Sequence, residues 1–426
     1  MTADTWPFWK TIPRFDREYC LGDLFQAVCG PTAAEGEDAT WLESILSPGA
    51  GVHFARSGRE CLYLILKILG LRPNSRVGVP LYCCASVFEA IVAAGHIPLF
   101  LDADPSTYGL SEEHLHRNRD QLDALVVVHT FGYPADLGRI RTCLRGRYVP
   151  IVEDCAHALF SEYQKHLAGT YTEASFFSFG MHKPAAIGGG AALLVNDPSL
   201  AKATAREIGR LRPESRSLEI GHSLKCWARS ISYQRAAYGA LLSSPLGRHR
   251  DDERRGSNDQ GVHAPDGLFP PCKMRLVDRV LLRQRIEEFQ QKLPGLAVNT
   301  EKIRKATRGG PPIMPAEPVH GKWNHFLLPV RYRTSGQRAL GRSFLLRRRI
   351  DTAPLYQNCA RNARLFGYSG GCENAEHVAQ TICTVPNHPW LKDDEITYIG
   401  ESLRSSADLD FEGRMELEFK SERAGA

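Results

Sequence analysis

The chain has 426 residues, 43% hydrophobic and 24% charged, with a formal net charge of +5. This length accommodates two or three domains around a large core, and so small a cationic excess argues against nucleic acid as a partner. No apolar run approaches the roughly 18 residues of a membrane-spanning helix, so no membrane span is expected.

Taken in order, residues 1–50 read as an irregular N-terminal arm. It carries Trp6, Phe8, Trp9 and Phe15 and a linker-like piece from Pro31 to Glu37, with no basic-then-apolar opening of a secretory leader. From Ser57 to Leu71 the spacing of Leu62, Ile65, Leu66 and Leu69 predicts a helix with Ser57 as its N-cap. A helix that starts with Ser57 and Gly58 offers free N–H groups to a phosphate, or is simply a capped core helix. Arg59 either adds a bidentate phosphate contact or faces solvent.

Strands are predicted at Arg76–Pro80, Ile97–Asp102 and Ala124–Thr130, the last with few polar positions, as in a strand buried on both faces. Helices run from the loop Leu81–Ser86 to Gly95, over Leu110–Arg117 and over Asp136–Leu144. His129 either lines a site or is a satisfied structural histidine.

Two runs carry the chemistry. Val149–Ala158, V-P-I-V-E-D-C-A-H-A, leads into Glu153–Asp154. Ala174–Ala191, A-S-F-F-S-F-G-M-H-K-P-A-A-I-G-G-G-A, passes Ser178 and a lone Lys183 to reach Gly188–Gly190. A lysine can hold an aldehyde cofactor as a Schiff base, and a carboxylate can keep that cofactor's pyridinium nitrogen charged by opposite-charge attraction. Pyridoxal phosphate needs both, and ligands of open α/β sheets sit at the carboxyl ends of strands. The plainer alternatives are a solvated turn lysine and an aspartate that caps a helix. The glycine cluster matches neither G-x-G-x-x-G nor G-x-x-x-x-G-K-[ST], which weighs against a nucleotide loop.

Residues 201–268 form a basic section, its excess over 201–260 equal to that of the whole chain, with Trp227, Tyr233, Tyr238 and a charged loop at 248–261. It is either a cover for an acidic substrate or a solvated insertion. Met274–Leu293 has helical period; 323–332 reads as a strand, Ser335–Arg349 as a basic amphipathic helix, and 384–391 as a proline-rich strand before a capped terminal helix. The tail from Ser406 is polar and expected to be disordered. The 12 cysteines are scattered, with Cys83–Cys84 adjacent and no C-x-x-C, so reduced thiols in a cytoplasmic enzyme are expected and a zinc site is not.

Six segments in order resemble the sugar aminotransferases of the DegT/DnrJ/EryC1/StrS family. They are F-A-R-S-G-R-E at 54–60, V-P-L-Y-C-C-A-S at 79–86, I-P-L-F-L-D-A-D at 97–104, H-T-F-G-Y-P-A-D at 129–136, E-D-C-A-H-A at 153–158 and F-S-F-G-M-H-K at 177–183. The likeness is good over about 50–200 and looser over 320–405. It implies an α/β fold of the aspartate-aminotransferase type (fold type I): a large domain over 51–268 with a central, mostly parallel sheet, then a linking helix and a smaller C-terminal α+β domain over 269–405. It implies pyridoxal 5'-phosphate held by Lys183 and Asp154, with Ser57, Gly58 and Ser178 at its phosphate and His157 at its phenolic oxygen or phosphate. The expected reaction moves an amino group from an amino acid, glutamate first, to a keto-sugar carried by a nucleotide. A homodimer with sites at the interface, and an arm packed on the partner subunit, are implied as well.

Three positions depart from the family's pattern. Arg59 replaces a threonine. Cys84 stands where an aromatic lies over the cofactor ring, so Tyr82, another aromatic, or a thiol with apolar contacts must cover it. Pro270–Pro271 falls where an asparagine reaches the partner's phosphate. A pyridoxal-phosphate enzyme of another reaction type, and a non-catalytic protein on the same fold, are the rival readings; retention of both Lys183 and Asp154 argues against the second.

Overall fold

The computed structural model describes residues 7–15, 18–31, 33–243, 270–307 and 313–407. The charged loop at 248–261 and the tail beyond 407 lie outside the described residues. The strands are β1 (Gly51–Ala55), β2 (Arg76–Pro80), β3 (Ile97–Leu101), β4 (Ala124–Val128), β5 (Ile151–Asp154), β6 (Glu162–Tyr163), β7 (His166–Leu167), β8 (Ala174–Ser178), β9 (Ala191–Val195), β10 (Gly321–Lys322), β11 (Leu328–Arg331) and β12 (Ile382–Val385). Seven of them form the central sheet in the order β1-β9-β8-β5-β4-β2-β3.

The middle of this sheet is parallel: β4 pairs with β2 and β5, and β5 with β8, while β9 and β1 are antiparallel. Every residue of β4 and of β9 is buried, which explains their unbroken apolar runs. The parallel register brings the ends of β4, β5 and β8 to one edge, with Val128 opposite Asp154 and Asp154 opposite Phe176. Alternation along β5 then splits the acidic pair. Glu153 accepts from Gly169 N at 2.8 Å, Thr172 N at 3.1 Å and Thr172 Oγ1 at 2.8 Å inside the core. Asp154 is left at the open edge.

The helix Gly58–Ile68 buries Leu62, Leu64, Ile65 and Leu66, each of which contributes about 1.5–3 kcal/mol of apolar burial. A second core surrounds the β11–β12 pair and joins Ile303 of the long helix to Ile396, Ile399 and Leu403 of the terminal helix Asp393–Ala407. Gly400 of the terminal helix faces Ala306 so closely that no Cβ fits between them.

Three sequence expectations are corrected. Residues 1–50 contain two helices, Leu21–Cys29 and Glu35–Leu46; the first begins in a capping box between Cys20 and Asp23, a sulfur cap outside the usual Ser/Thr/Asp/Asn signal. The helix expected over Met274–Leu293 is a short turn, Leu276–Arg279, followed by a helix over Leu282–Thr307 that continues through Pro294. Burial of Leu296, Asn299, Thr300 and Ile303 beyond that proline outweighs the one bond it removes. The strand expected over 323–332 is confined to β11, because His325 adopts φ 55° and Asn324 turns its amide to His157 O and Leu159 O.

Candidate active site

Six segments meet at the open edge of the sheet around a cavity of about 320 Å³. Its walls include Ser57, Gly58, Arg59, Cys84, Asp154, His157, Ser178 and Lys183, so the fold brings together all eight residues singled out in the sequence. A larger crevice of about 490 Å³, lined by Asp104, Glu112 and Asp136, shares Val128 with it.

Asp154 ends β5 and is 6% exposed. Its Oδ1 accepts from Ala156 N at 2.9 Å, and among the described residues no hydrogen bond reaches its other oxygen. Burial pushes its carboxyl up, against that hydrogen bond and the charge of Lys183. A buried carboxylate with a free oxygen at a cavity wall fits a proton-bearing cation, as a pyridinium nitrogen is.

Lys183 follows the turn after β8, and its Nζ lies 3.0 Å from His157 Nε2. Burial lowers the lysine pKa, with Cys84 and Asp154 opposing. Burial and then the Lys183 charge hold His157 well below its ordinary value, so the imidazole is neutral and Nε2 accepts from the amine. His157 is fixed from its backbone side, where its carbonyl accepts from Asn324 Nδ2 at 2.7 Å.

Ser57 caps its helix by accepting from Glu60 N at 3.4 Å. A Cβ on Gly58 would come within 3.2 Å of the Phe176 ring and 3.3 Å of Ser178 Cβ, so glycine lets the helix start press against β8. The first-turn N–H groups and the Ser178 hydroxyl thereby share one end of the cavity, the arrangement that binds phosphate. Arg59 lines the same end and donates to Glu89 Oε2 at 2.5 Å.

Cys84 lines the cavity, and its sulfur accepts from Ser86 Oγ at 3.1 Å. Tyr82 is not the cover that its position offered: it is fully buried and donates to Leu355 O at 2.9 Å. The aromatic in the wall is Tyr356, at φ 56°, with its ring 6.4 Å from the His157 ring and nearly parallel to it. Tyr356 ends the R-I-D-T-A-P-L-Y segment at 349–356 and was not singled out in the sequence. Phe176 is the other aromatic that sequence reasoning missed; it read as ordinary strand filling.

His129 borders the cavity as well, but its ring is tied into the core. Its Nδ1 accepts from Ala135 N at 3.0 Å, which leaves Nε2 to donate to Glu153 Oε2 at 3.0 Å. With Cys155 these two residues have the spacing of a metal site, but the His129 nitrogens and both Glu153 oxygens are already engaged.

Gly188–Gly190 do not line the cavity. Cβ atoms there would meet Cys226 Sγ at 2.8 Å, Asp278 Oδ2 at 2.7 Å and Met274 Cε at 2.6 Å, so the glycines let the turn after Lys183 pack on the insertion and the linking segment. Pro271 precedes Cys272, whose carbonyl accepts from Arg56 N at 3.0 Å. That segment thus closes on the chain's own helix start.

An acid and a lysine at one edge of a mostly parallel seven-stranded sheet, with a helix start on the same cavity, give the architecture of the fold type I aminotransferases. Residues 33–222 match the model of the DegT/DnrJ/EryC1/StrS aminotransferase family. GDP-perosamine synthase of Escherichia coli O157:H7 is 31% identical over 145 residues, covering 34% of this chain and 40% of that protein. The match to protein MosB of Rhizobium meliloti likewise spans only 31% of its length. UDP-N-acetyl-3-dehydro-alpha-D-glucosamine 3-aminotransferase of Acidithiobacillus ferrooxidans is 22% identical across 82% of each chain. Among solved structures, DesV of S. venezuelae superposes with a TM-score of 0.70 at 19% identity, covering 94% of this chain and 99% of its own. The putative sugar aminotransferase Spr1654 of Streptococcus pneumoniae in its PLP-form gives 0.70 at 16% identity, over 95% and 99%. These likenesses establish the fold. No helix among the described residues is long and apolar enough to cross a membrane.

Proposed function

We propose that the chain is a pyridoxal-phosphate-dependent aminotransferase that moves an amino group from an amino acid, glutamate first, to a keto-sugar carried by a nucleotide. The observation that carries this reading is the meeting of Asp154, Lys183 and the Ser57–Gly58 helix start at one cavity. The class of acceptor rests on relatives named for GDP- and UDP-linked sugars. When bound, the cofactor supplies an electron sink that carries the amino group between the two substrates.

The chain's own residues have distinct tasks. Asp154 stabilises positive charge on the ring nitrogen. Lys183 anchors the cofactor and then takes and returns the substrate proton, a task suited to an amine whose pKa burial has lowered. Ser57, Gly58, Arg59 and Ser178 hold the phosphate. Neutral His157 orients the lysine amine, and Cys84 and Tyr356 exclude water from the ring. A cytoplasmic homodimer, with small molecules as the other partners, belongs to the same reading.

Purified protein is expected to be yellow, to lose the lysine-linked absorption band in Lys183→Ala, and to be bleached by glutamate. Bleaching by a different amino acid would move the donor assignment. A glutamate-inert protein in which another amino acid produces a new long-wavelength band would establish another reaction type.

A further inference from the structure

We propose that the N-terminal segment belongs to the catalytic apparatus, with Glu18 as the residue that positions Lys183; this rests on the assignment of Lys183 made above. His182, immediately before the lysine, adopts φ 66°. That left-handed conformation is costly for a residue with a Cβ and persists only where its surroundings enforce it.

The surroundings come from two distant parts of the chain. Both Glu18 carboxylate oxygens accept from the His182 backbone N–H, at 3.0 and 2.9 Å. Phe15 stacks on the imidazole with centroids 4.4 Å apart and planes 21° from parallel. From the helix Arg216–Ile231 and the turn after it, Arg229 and the Tyr233 hydroxyl reach His182 Nε2 at 3.3 and 3.0 Å. Arginine can only donate, so Nε2 is unprotonated and the ring proton sits on Nδ1, 3.5 Å from Glu18 Oε1.

The segment that carries Glu18 is tied down on both sides. Tyr19 N donates to Ser230 Oγ at 2.9 Å, and Arg14 Nε donates to Asp351 Oδ2 at 2.8 Å. One carboxylate therefore anchors a strained peptide whose next residue holds the reactive amine. The arm that family resemblance assigned to the partner subunit does this work, through Phe15 and Glu18, within its own chain.

The test compares holoenzyme of Glu18→Ala and Glu18→Gln with wild type. The readouts are cofactor affinity, the pH at which the lysine-linked band titrates, and kcat against KM for the amino donor. Glu18→Ala is expected to lose about tenfold in cofactor affinity and in kcat, to shift the band's titration, and to leave KM within about twofold. Glu18→Gln, which keeps an acceptor, should fall between. If Glu18→Ala does not fold, Glu18→Gln and Phe15→Leu decide, with smaller changes in the same direction. Wild-type spectra, affinity and kcat in folded variants would overturn the proposal. Loss of the band in Lys183→Ala with no effect at Glu18 refutes this inference alone, whereas a band that survives Lys183→Ala refutes the underlying assignment.

Discussion

Lys183 Nζ stands 3.0 Å from His157 Nε2, and burial drives both groups toward their neutral forms. Asp154 works the other way on the lysine, because its negative charge favours the ammonium. Burial thus lowers the lysine's pKa, and Cys84 and then Asp154 oppose it.

Chemical modification of Lys183 in the apoprotein should reflect that balance. Its rate should rise with pH to a midpoint below 10.5, the ordinary lysine value. In Asp154→Asn the midpoint should fall further, since the opposing charge is gone. Activity in that variant should drop by about 100-fold or more, while cofactor content changes far less. A midpoint that rises in Asp154→Asn would contradict the electrostatic account.

Gly188 is required by geometry rather than by the cofactor. It adopts φ 101°, and a Cβ there would lie 2.8 Å from Cys226 Sγ. Gly188→Ala should cost about 2–4 kcal/mol of stability, read as a lower urea midpoint, through strain and overpacking together. An unchanged midpoint would mean that the turn after Lys183 repacks freely.

Behind that turn, the His222–Asp278 pair makes stability depend on pH. Burial lowers the histidine's pKa, but the Asp278 hydrogen bond and charge, with Cys226, outweigh it and raise the value to about 9 from 6.5. A raised folded-state value contributes stability that is complete below 6.5 and lost as pH climbs through about 9. The contribution is on the order of 3 kcal/mol at most. Urea midpoints at pH 6 and pH 9.5 should therefore differ, and Asp278→Asn should remove most of the difference.

The sequence made much of the sheet legible because its strands are short apolar runs: β2 matches its predicted range to the residue, and β3 and β4 match to within one or two. The eight residues that meet at the cavity were legible as a group because each ends or follows a strand or opens a helix. Tyr356 was not, since its entry into the cavity depends on a left-handed backbone and on packing across about 200 residues of chain. The helices within 1–50 escaped because a cysteine, not a serine or aspartate, caps the first and alanine precedes the second. Pro294 misled because local propensity marks a stop that tertiary burial overrides. The partners of the glycine cluster, Cys226, Met274 and Asp278, lie too far along the chain to be read from it.

The most direct test is to reduce the holoenzyme with borohydride, digest it, and map the peptide that carries the cofactor. The account predicts a single modified lysine, Lys183, in the peptide that spans F-S-F-G-M-H-K. Label on any other lysine, or a cofactor that binds but cannot be fixed by reduction, would contradict it.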